Sequence, residues 1–269
     1  MSHAICITCG TNYGDSDVTP TGCPICQDER QYVGLEGQRW TTLPELRAGH
    51  SNRITAHEPG LTGIGSEPAF AIGQRALLVQ TPAGNVLWDC VSLIDEATVA
   101  AVEALGGITA IAISHPHFYS SMAEWSTAFG NVPIYLHAAN REWVMHHSPN
   151  IRYWNGPTQP LVAGVTLVHC GGHFAGSAVL HWAQGAAGKG VLLTGDTIMV
   201  VPDRRYVSFM RSYPNLIPLS ARAVSSIVDA VTPFAFDRIY SAWWTAIVDH
   251  DAKSAVICSA ERYQQALAD

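Results

Sequence analysis

The sequence predicts an α/β (α+β) domain preceded by a small cysteine knuckle. Three observations carry that expectation. Apolar runs of the kind that fill buried strands, at residues 108–113, 165–168 and 191–193, alternate along the chain with segments of helical spacing. Each run is followed within a few residues by a histidine or an aspartate. Two Cys-x-x-Cys pairs stand near the N-terminus, ahead of all of them.

The knuckle comes first. Cys6-Ile7-Thr8-Cys9 and Cys23-Pro24-Ile25-Cys26 are separated by 13 residues, a spacing that lets two turns present four thiolates tetrahedrally to one ion. Paired cysteines in two short turns, with no signal sequence readable ahead of them, argue against a disulfide framework and for a cytoplasmic location. The segment resembles a zinc ribbon or a short rubredoxin-like knuckle. Rubredoxin-type turns place a residue tolerant of positive φ after each pair, so that the next amide points at sulfur. Gly10 meets that need, whereas Gln27 stands where the second glycine would be, which favours structural zinc over redox iron. So short a stretch buries little core, so its metal would supply most of its folding free energy. Residues 1–40 are assigned to this knuckle and the start of a linker, and residues 41–269 to the main domain. Loss of a knuckle cysteine is expected to destabilise the fold and to leave the chemistry of the main domain intact.

From Asp28 to about Pro68 the chain reads as a polar, glycine-bearing connection. Short strands are expected at 69–72, 75–80 and 86–89, then a helix at 96–105, capped by Asp95 and ended by Gly106-Gly107. A helix at 121–129 follows from Met122, Trp125, Ala128 and Phe129, with a strand at 133–137 after it. Further strands are expected at 161–170, 178–182 and 191–194. A helix at 221–231 turns Ala223, Val224, Ile227 and Val231 inward, and a last helix at 252–267 closes the domain.

The residues that carry chemistry lie at strand ends. In an extended segment His115 and His117 project to the same side and can converge on one ion. The apolar run before them places both at a C-terminal strand edge, where α/β sheets collect ligands. His173 sits among glycines in Gly171-Gly172-His173-Phe174-Ala175-Gly176-Ser177, and Asp196 ends the run at 191–193 within Leu193-Thr194-Gly195-Asp196-Thr197. His169 is spaced to support His173 from behind. Cys170 is placed either near the ion or as a small buried hydrophobe, and Cys90 and Cys258 are expected to pack. The other eight of the 12 histidines, His3 and His146 among them, fit no ligand spacing.

The order His-x-His, Gly-Gly-His-x-x-Gly-Ser, Thr-Gly-Asp-Thr, with Asn85-Val86-Leu87-Trp88-Asp89 upstream, resembles the metallo-β-lactamase superfamily over roughly residues 69–245. The resemblance implies an αββα sandwich with a metal site at one edge of its two sheets, and hydrolysis as the usual activity. The chain departs from the family's His-x-His-x-Asp-His pattern, since Tyr119 and Ser120 stand where the second ion's Asp and His would be. The late segment from Arg238 to Trp244 also lacks the further histidine. Carried over residue by residue, His115, His117, His173 and Asp196 remain, which implies one active-site metal, zinc before iron, with positions open for water. Three neutral imidazoles leave a zinc ion's charge largely uncompensated, so water on it ionises near pH 7. Asp196 would ligate the ion or orient that water, and Tyr119 either serves as an acid or oxyanion partner or merely packs where the second ion used to be.

The expected activity is hydrolysis of an ester, thioester, amide or lactone. Tyr153-Trp154 and Trp243-Trp244 are expected to border the pocket, which suits an apolar or aromatic small molecule. Arg204-Arg205 would either grip a carboxylate or phosphate or form a solvated turn. A net charge of −7 argues against a nucleic-acid footprint, and no apolar stretch approaches the ~20 residues that span a bilayer. The chain carries no nucleophile elbow and no dinucleotide fingerprint. Two rival readings are an iron redox protein fed by a rubredoxin-like knuckle, and a non-catalytic binding module that kept the fold.

Overall fold

Alternate residues of two β-sheets face each other across one apolar layer, and helices cover both outer faces. The computed structural model describes residues 3–14 and 18–268; the outermost residues of the two assigned segments, 1–2 and 269, lie outside the described residues. Leu77 and Val79 of strand Ala76–Val79 point into the layer between the sheets, with Leu167, Leu180 and Leu193 of the opposite sheet. Their neighbours Ala76 and Leu78 point outward, beneath Val102, Met122 and Trp125. On the far side Val168, Val179 and Leu192 point outward against Val224, Ile227 and Val256. This period of two makes register unambiguous, because a slip of one residue would turn each inward side chain outward. Each fully buried aliphatic contributes roughly 1.5–3 kcal/mol. The layering is the αββα sandwich that the motifs imply.

The first sheet has seven strands in chain order, from Ser51–Glu58 to Ile151–Trp154. It begins antiparallel and becomes parallel from Val86–Trp88 through Ala110–Ala112 and Ile134–His137. Helices Glu96–Ala104 and Met122–Ala128 make the crossovers, the first capped as expected by Asp95, which accepts from the Thr98 amide at 2.7 Å. The second sheet runs Thr158–Val162, Val165–His169, Ala178–Trp182, Val191–Gly195, Arg238–Ser241, Ile247–Val248. Its one parallel pair, Val191–Gly195 with Arg238–Ser241, is bridged by helix Ala221–Val231, and helix Ala252–Ala268 packs beside that helix.

Several expectations are corrected. The supposed connection up to Pro68 holds helix Leu43–Gly49, opened by a capping box between Thr42 and Glu45, and the hairpin Ser51–Glu58 with Leu61–Glu67. The second hairpin strand hides behind its glycines. A Cβ at Gly63 would lie 2.7 Å from His57 Nε2, and one at Gly65 2.9 Å from the Trp244 ring, so packing demands glycine where strand propensity would not. Residues 69–72 form a turn rather than a strand, with Ala71 at φ 52°. The expected strand at 161–170 is a hairpin folded at Gly164, φ +79°. Cys258 is exposed on the last helix rather than packed, whereas Cys90 and Cys170 are buried. Strand Trp40–Thr41 pairs with Ile5–Cys6, so the chain returns to the knuckle before entering the main domain.

Candidate metal centre

His115, His117, His173 and Asp196 converge where the two sheets meet. Strand Ala110–Ala112 delivers the first two. The chain is fully extended at His115, but Pro116 opens a short 3-10 turn, Pro116–Phe118, that contains His117. The two rings therefore converge through a turn rather than along a strand, with Pro116 supplying the φ that the first turn position favours. Gly171 and Gly172, at φ +66° and +80°, fold the loop that carries His173. Gly195 ends its strand at φ +52°, and a Cβ there would lie 2.7 Å from Ser114 Oγ, so only glycine lets Asp196 approach the His115 segment.

Asp196 Oδ2 lies 3.4 Å from His115 Nε2, 3.8 Å from His117 Nδ1 and 3.8 Å from His173 Nε2. His173 Nε2 and His117 Nδ1 are 3.3 Å apart. Donors about 2.0–2.1 Å from a tetrahedral zinc stand about 3.3 Å from one another, so the four atoms are spaced to hold such an ion. Their partners orient them for it. His173 Nδ1–H donates to the Met210 carbonyl at 3.0 Å, which leaves Nε2 as a lone pair facing the centre. His115 Nδ1–H donates to Ser114 Oγ, and Ser114 in turn donates its hydroxyl and its amide to Asp89 Oδ1, each at 2.8 Å. This gives the strand-end aspartate a role as the anchor of the His115 tautomer. Burial pushes the Asp89 carboxyl up to about 8.

The charge balance points the same way. Burial pushes His115 down to about 4 and His173 well below its ordinary value, so both are neutral at pH 7. Burial alone would raise Asp196, but its contacts with His115 and His117 outweigh that and hold the carboxylate below the usual range. Asp196 Oδ1 and His115 Nε2 are buried without a hydrogen-bond partner. A buried anion among neutral lone pairs is costly alone and suits a divalent cation. Ser114→Ala is expected to weaken metal binding at this centre 10–100-fold, the usual effect of losing a ligand's orienting partner; competition with a chromophoric chelator measures it.

A pocket of about 350 Å³ opens onto His117, His173 and Asp196. Ile72, Tyr213 and Trp243 form part of its wall, and Arg30, Gln31 and Tyr32 close it from the knuckle side. Arg30 Nε donates to the His173 carbonyl at 2.7 Å, its Nη1 to Asp28 at 2.7 Å, and its guanidinium lies 4.4 Å from the Phe174 ring centre. Asn215 Nδ2 donates to the carbonyls of Glu29 and Gln31, and Arg211 pairs with Glu29. Upstream, Ser92 Oγ donates to Gly10 O at 2.6 Å and the Asn12 amide to Ser120 O at 3.1 Å. Sequence reasoning missed Arg30 and Tyr213, because nothing in the local pattern of either segment marks it.

The four knuckle thiols are buried, with Cys6 Sγ to Cys26 Sγ and Cys9 Sγ to Cys23 Sγ each 3.6 Å. That is near the ~3.8 Å edge of a tetrahedron of sulfurs 2.3 Å from zinc, and far beyond a disulfide bond. Gly10 takes φ +79° as its role requires, while Gln27 ends the short helix Pro24–Gln27.

The remaining candidates divide. Trp243 lines the pocket and donates its indole N–H to Ile72 O at 3.0 Å. Trp244 turns away, beneath Arg53 at 4.5 Å. Tyr153 lies under Arg141 at 3.8 Å and Trp154 packs on His137, so neither borders the pocket. Tyr119 is buried with its hydroxyl donated to Asn140 O at 3.4 Å, and burial raises its pKa. Ser120 Oγ accepts from Gln74 Nε2 at 3.1 Å. Both residues in the place of second-ion ligands are thus fastened to neighbouring segments. His169 stacks on His137 at 3.9 Å and donates to Ala175 O at 2.8 Å, bracing the His173 loop. Arg205 pairs with Asp203 and Arg204 donates to Val201 O, away from the centre.

No family model matches the chain. The Bacillus subtilis (strain 168) protein "Uncharacterized protein YmaE" is 48% identical over 269 residues, covering 99% of this chain and 97% of that one. The chain belongs to the YmaE family. Among solved structures this YmaE-family chain resembles VMB-1 (TM-score 0.59, 13% identity, covering 81% of this chain and 98% of that one). It also resembles the DIM-1 metallo-β-lactamase (TM-score 0.58, 12% identity, 80% and 98%). A B3 metallo-β-lactamase with an active-site glutamic acid gives a TM-score of 0.53 at 18% identity, covering 80% and 88%. The fold of this YmaE-family chain is therefore the metallo-β-lactamase fold, as the motif order implied.

Proposed function

We propose that the protein is a mononuclear metal-dependent hydrolase acting on a small ester, thioester, amide or lactone with an apolar or aromatic acyl group. The observation that carries this is the convergence of three imidazoles on Asp196, with His115 Nε2 and Asp196 Oδ1 buried and unpartnered, at the floor of an open pocket. A divalent ion, zinc before others, would supply Lewis acidity toward a carbonyl and toward water. His115, His117, His173 and Asp196 Oδ2 would hold it. Asp196 Oδ1, which no protein group occupies, is then placed to accept a proton from the attacking water and return it to the leaving group. The Tyr119 hydroxyl is committed to Asn140, so Asp196 alone takes the proton-transfer role in this reading. Trp243 and Tyr32 offer aromatic walls to the acyl group.

The test is hydrolysis of a panel of aryl esters, thioesters, lactones and amides by zinc-loaded protein, before and after chelation. Turnover lost on chelation and restored by zinc is expected. No turnover of any class, with zinc retained at the histidine centre, would overturn the hydrolase reading in favour of a metal-holding binding module.

A further inference from the structure

A separate cluster lies beside an apolar-walled cavity away from the histidine centre. Glu124, on helix Met122–Ala128, meets His3 from the N-terminal segment and His146 from the loop after residue 143. His3 Nδ1 is 2.9 Å and His146 Nδ1 3.3 Å from Glu124 Oε1, and the two imidazoles stand edge to face with centres 5.3 Å apart. The three side chains are 24%, 15% and 22% exposed for His3, Glu124 and His146 respectively, so they are sheltered but reachable.

Two details go beyond a hydrogen-bonded triad. His146 Nδ1 approaches the carboxylate without forming a hydrogen bond to it, and Glu124 Oε2 is buried with no partner, so donor atoms remain unspent at the centre of the cluster. Gly14 of the knuckle makes the room. A Cβ there would lie 2.6 Å from His146 Cδ2, so the glycine allows the imidazole to stand against Glu124. The cluster borders a cavity of about 730 Å³ with Leu43, Ile94 and Val99 on its walls.

We propose that His3, Glu124 and His146 form a divalent-metal site distinct from both the histidine centre and the cysteine knuckle, selecting a zinc-class ion. Two imidazoles and one carboxylate are a donor set that zinc accepts with a coordination position left open. The separations from Oε1 match the ~3.3 Å between ligands of one such ion. Held there, the ion ties the segment preceding Cys6 to helix Met122–Ala128 and presents an open position at the edge of the cavity.

Wild type, Glu124→Gln and His146→Ala are dialysed to equilibrium against buffered free zinc, and zinc per chain is counted by elemental analysis. Each variant is expected to hold one zinc fewer than wild type at a free zinc level that saturates wild type, while keeping the ions of the other two centres. Should either variant fail to fold, His3→Ala gives the same reading from the N-terminal segment. Equal zinc content and equal affinity in wild type and variants would overturn the proposal and leave a hydrogen-bonded His-Glu-His cluster. Because the readout is metal count rather than turnover, it fails or succeeds independently of the hydrolase reading.

Discussion

His117→Ala is expected to weaken metal binding at the histidine centre and to lower hydrolysis at least ~10³-fold. The substitution removes Nδ1, which stands 3.3 Å from His173 Nε2 and 3.8 Å from Asp196 Oδ2. Two imidazoles and a carboxylate remain, a set that holds zinc with one protein ligand fewer and so more weakly than the wild-type four. A Lewis-acidic ion supplies several kcal/mol of transition-state stabilisation, and each 1.36 kcal/mol is a factor of ten in rate. Folding should survive, because the apo centre otherwise packs neutral lone pairs and one buried anion together at a cost. Elemental analysis beside the turnover assay checks both parts. Metal and activity both retained by His117→Ala would remove this centre from the chemistry altogether.

Cys23→Ser is expected to open the knuckle and to disturb the histidine centre as well. Binding of one zinc to such a site is worth roughly 10–16 kcal/mol, comparable with the whole stability of a domain at about 5–15 kcal/mol. The buried part of its own apolar cluster is small, the four cysteines and Ile25, with Tyr13, Trp40, Trp143 and Met145 packed against it. Once the thiolates release, Arg30 loses its fixed approach to the His173 carbonyl, and the wall formed by Arg30, Gln31 and Tyr32 comes away. Zinc affinity at the histidines is expected to fall about tenfold or more, and residues 18–41 should become open to protease. Unchanged affinity at the histidines in a protein whose knuckle is cleaved would show that the wall is dispensable. This outcome differs from the sequence-based expectation of an independent knuckle, and the difference lies in hydrogen bonds spanning more than a hundred residues.

The legible parts of the chain share a physical cause. Strands 76–79, 86–88 and 191–195 were readable because a residue buried in this sandwich leaves an apolar run, and helix 96–104 because its cap and terminating glycines are local in sequence. The ligand set was readable because metal chemistry restricts residue type and the motifs arrive in order. Strand 61–67 escaped because its glycines answer to the ring of Trp244, a residue distant in sequence, rather than to strand propensity. Tyr153, Trp154, Trp244 and Cys258 were misplaced for the complementary reason, since side-chain direction at a strand end or on a helix is settled by what packs against it.

By itself the sequence determined the layered α/β class, the two sets of metal-binding residue types and the absence of second-ion ligands at Tyr119 and Ser120. Those follow from periodicity and donor chemistry, which act within a few residues. Tertiary structure alone decided that Asp89 reaches His115 through Ser114, that the Tyr119 hydroxyl is spent on Asn140, and that Arg30 of the knuckle braces His173. It also brought His3, Glu124 and His146 together. Each of those contacts joins segments whose distance in space is set by sheet register and packing, and neither composition nor spacing along the chain encodes that distance.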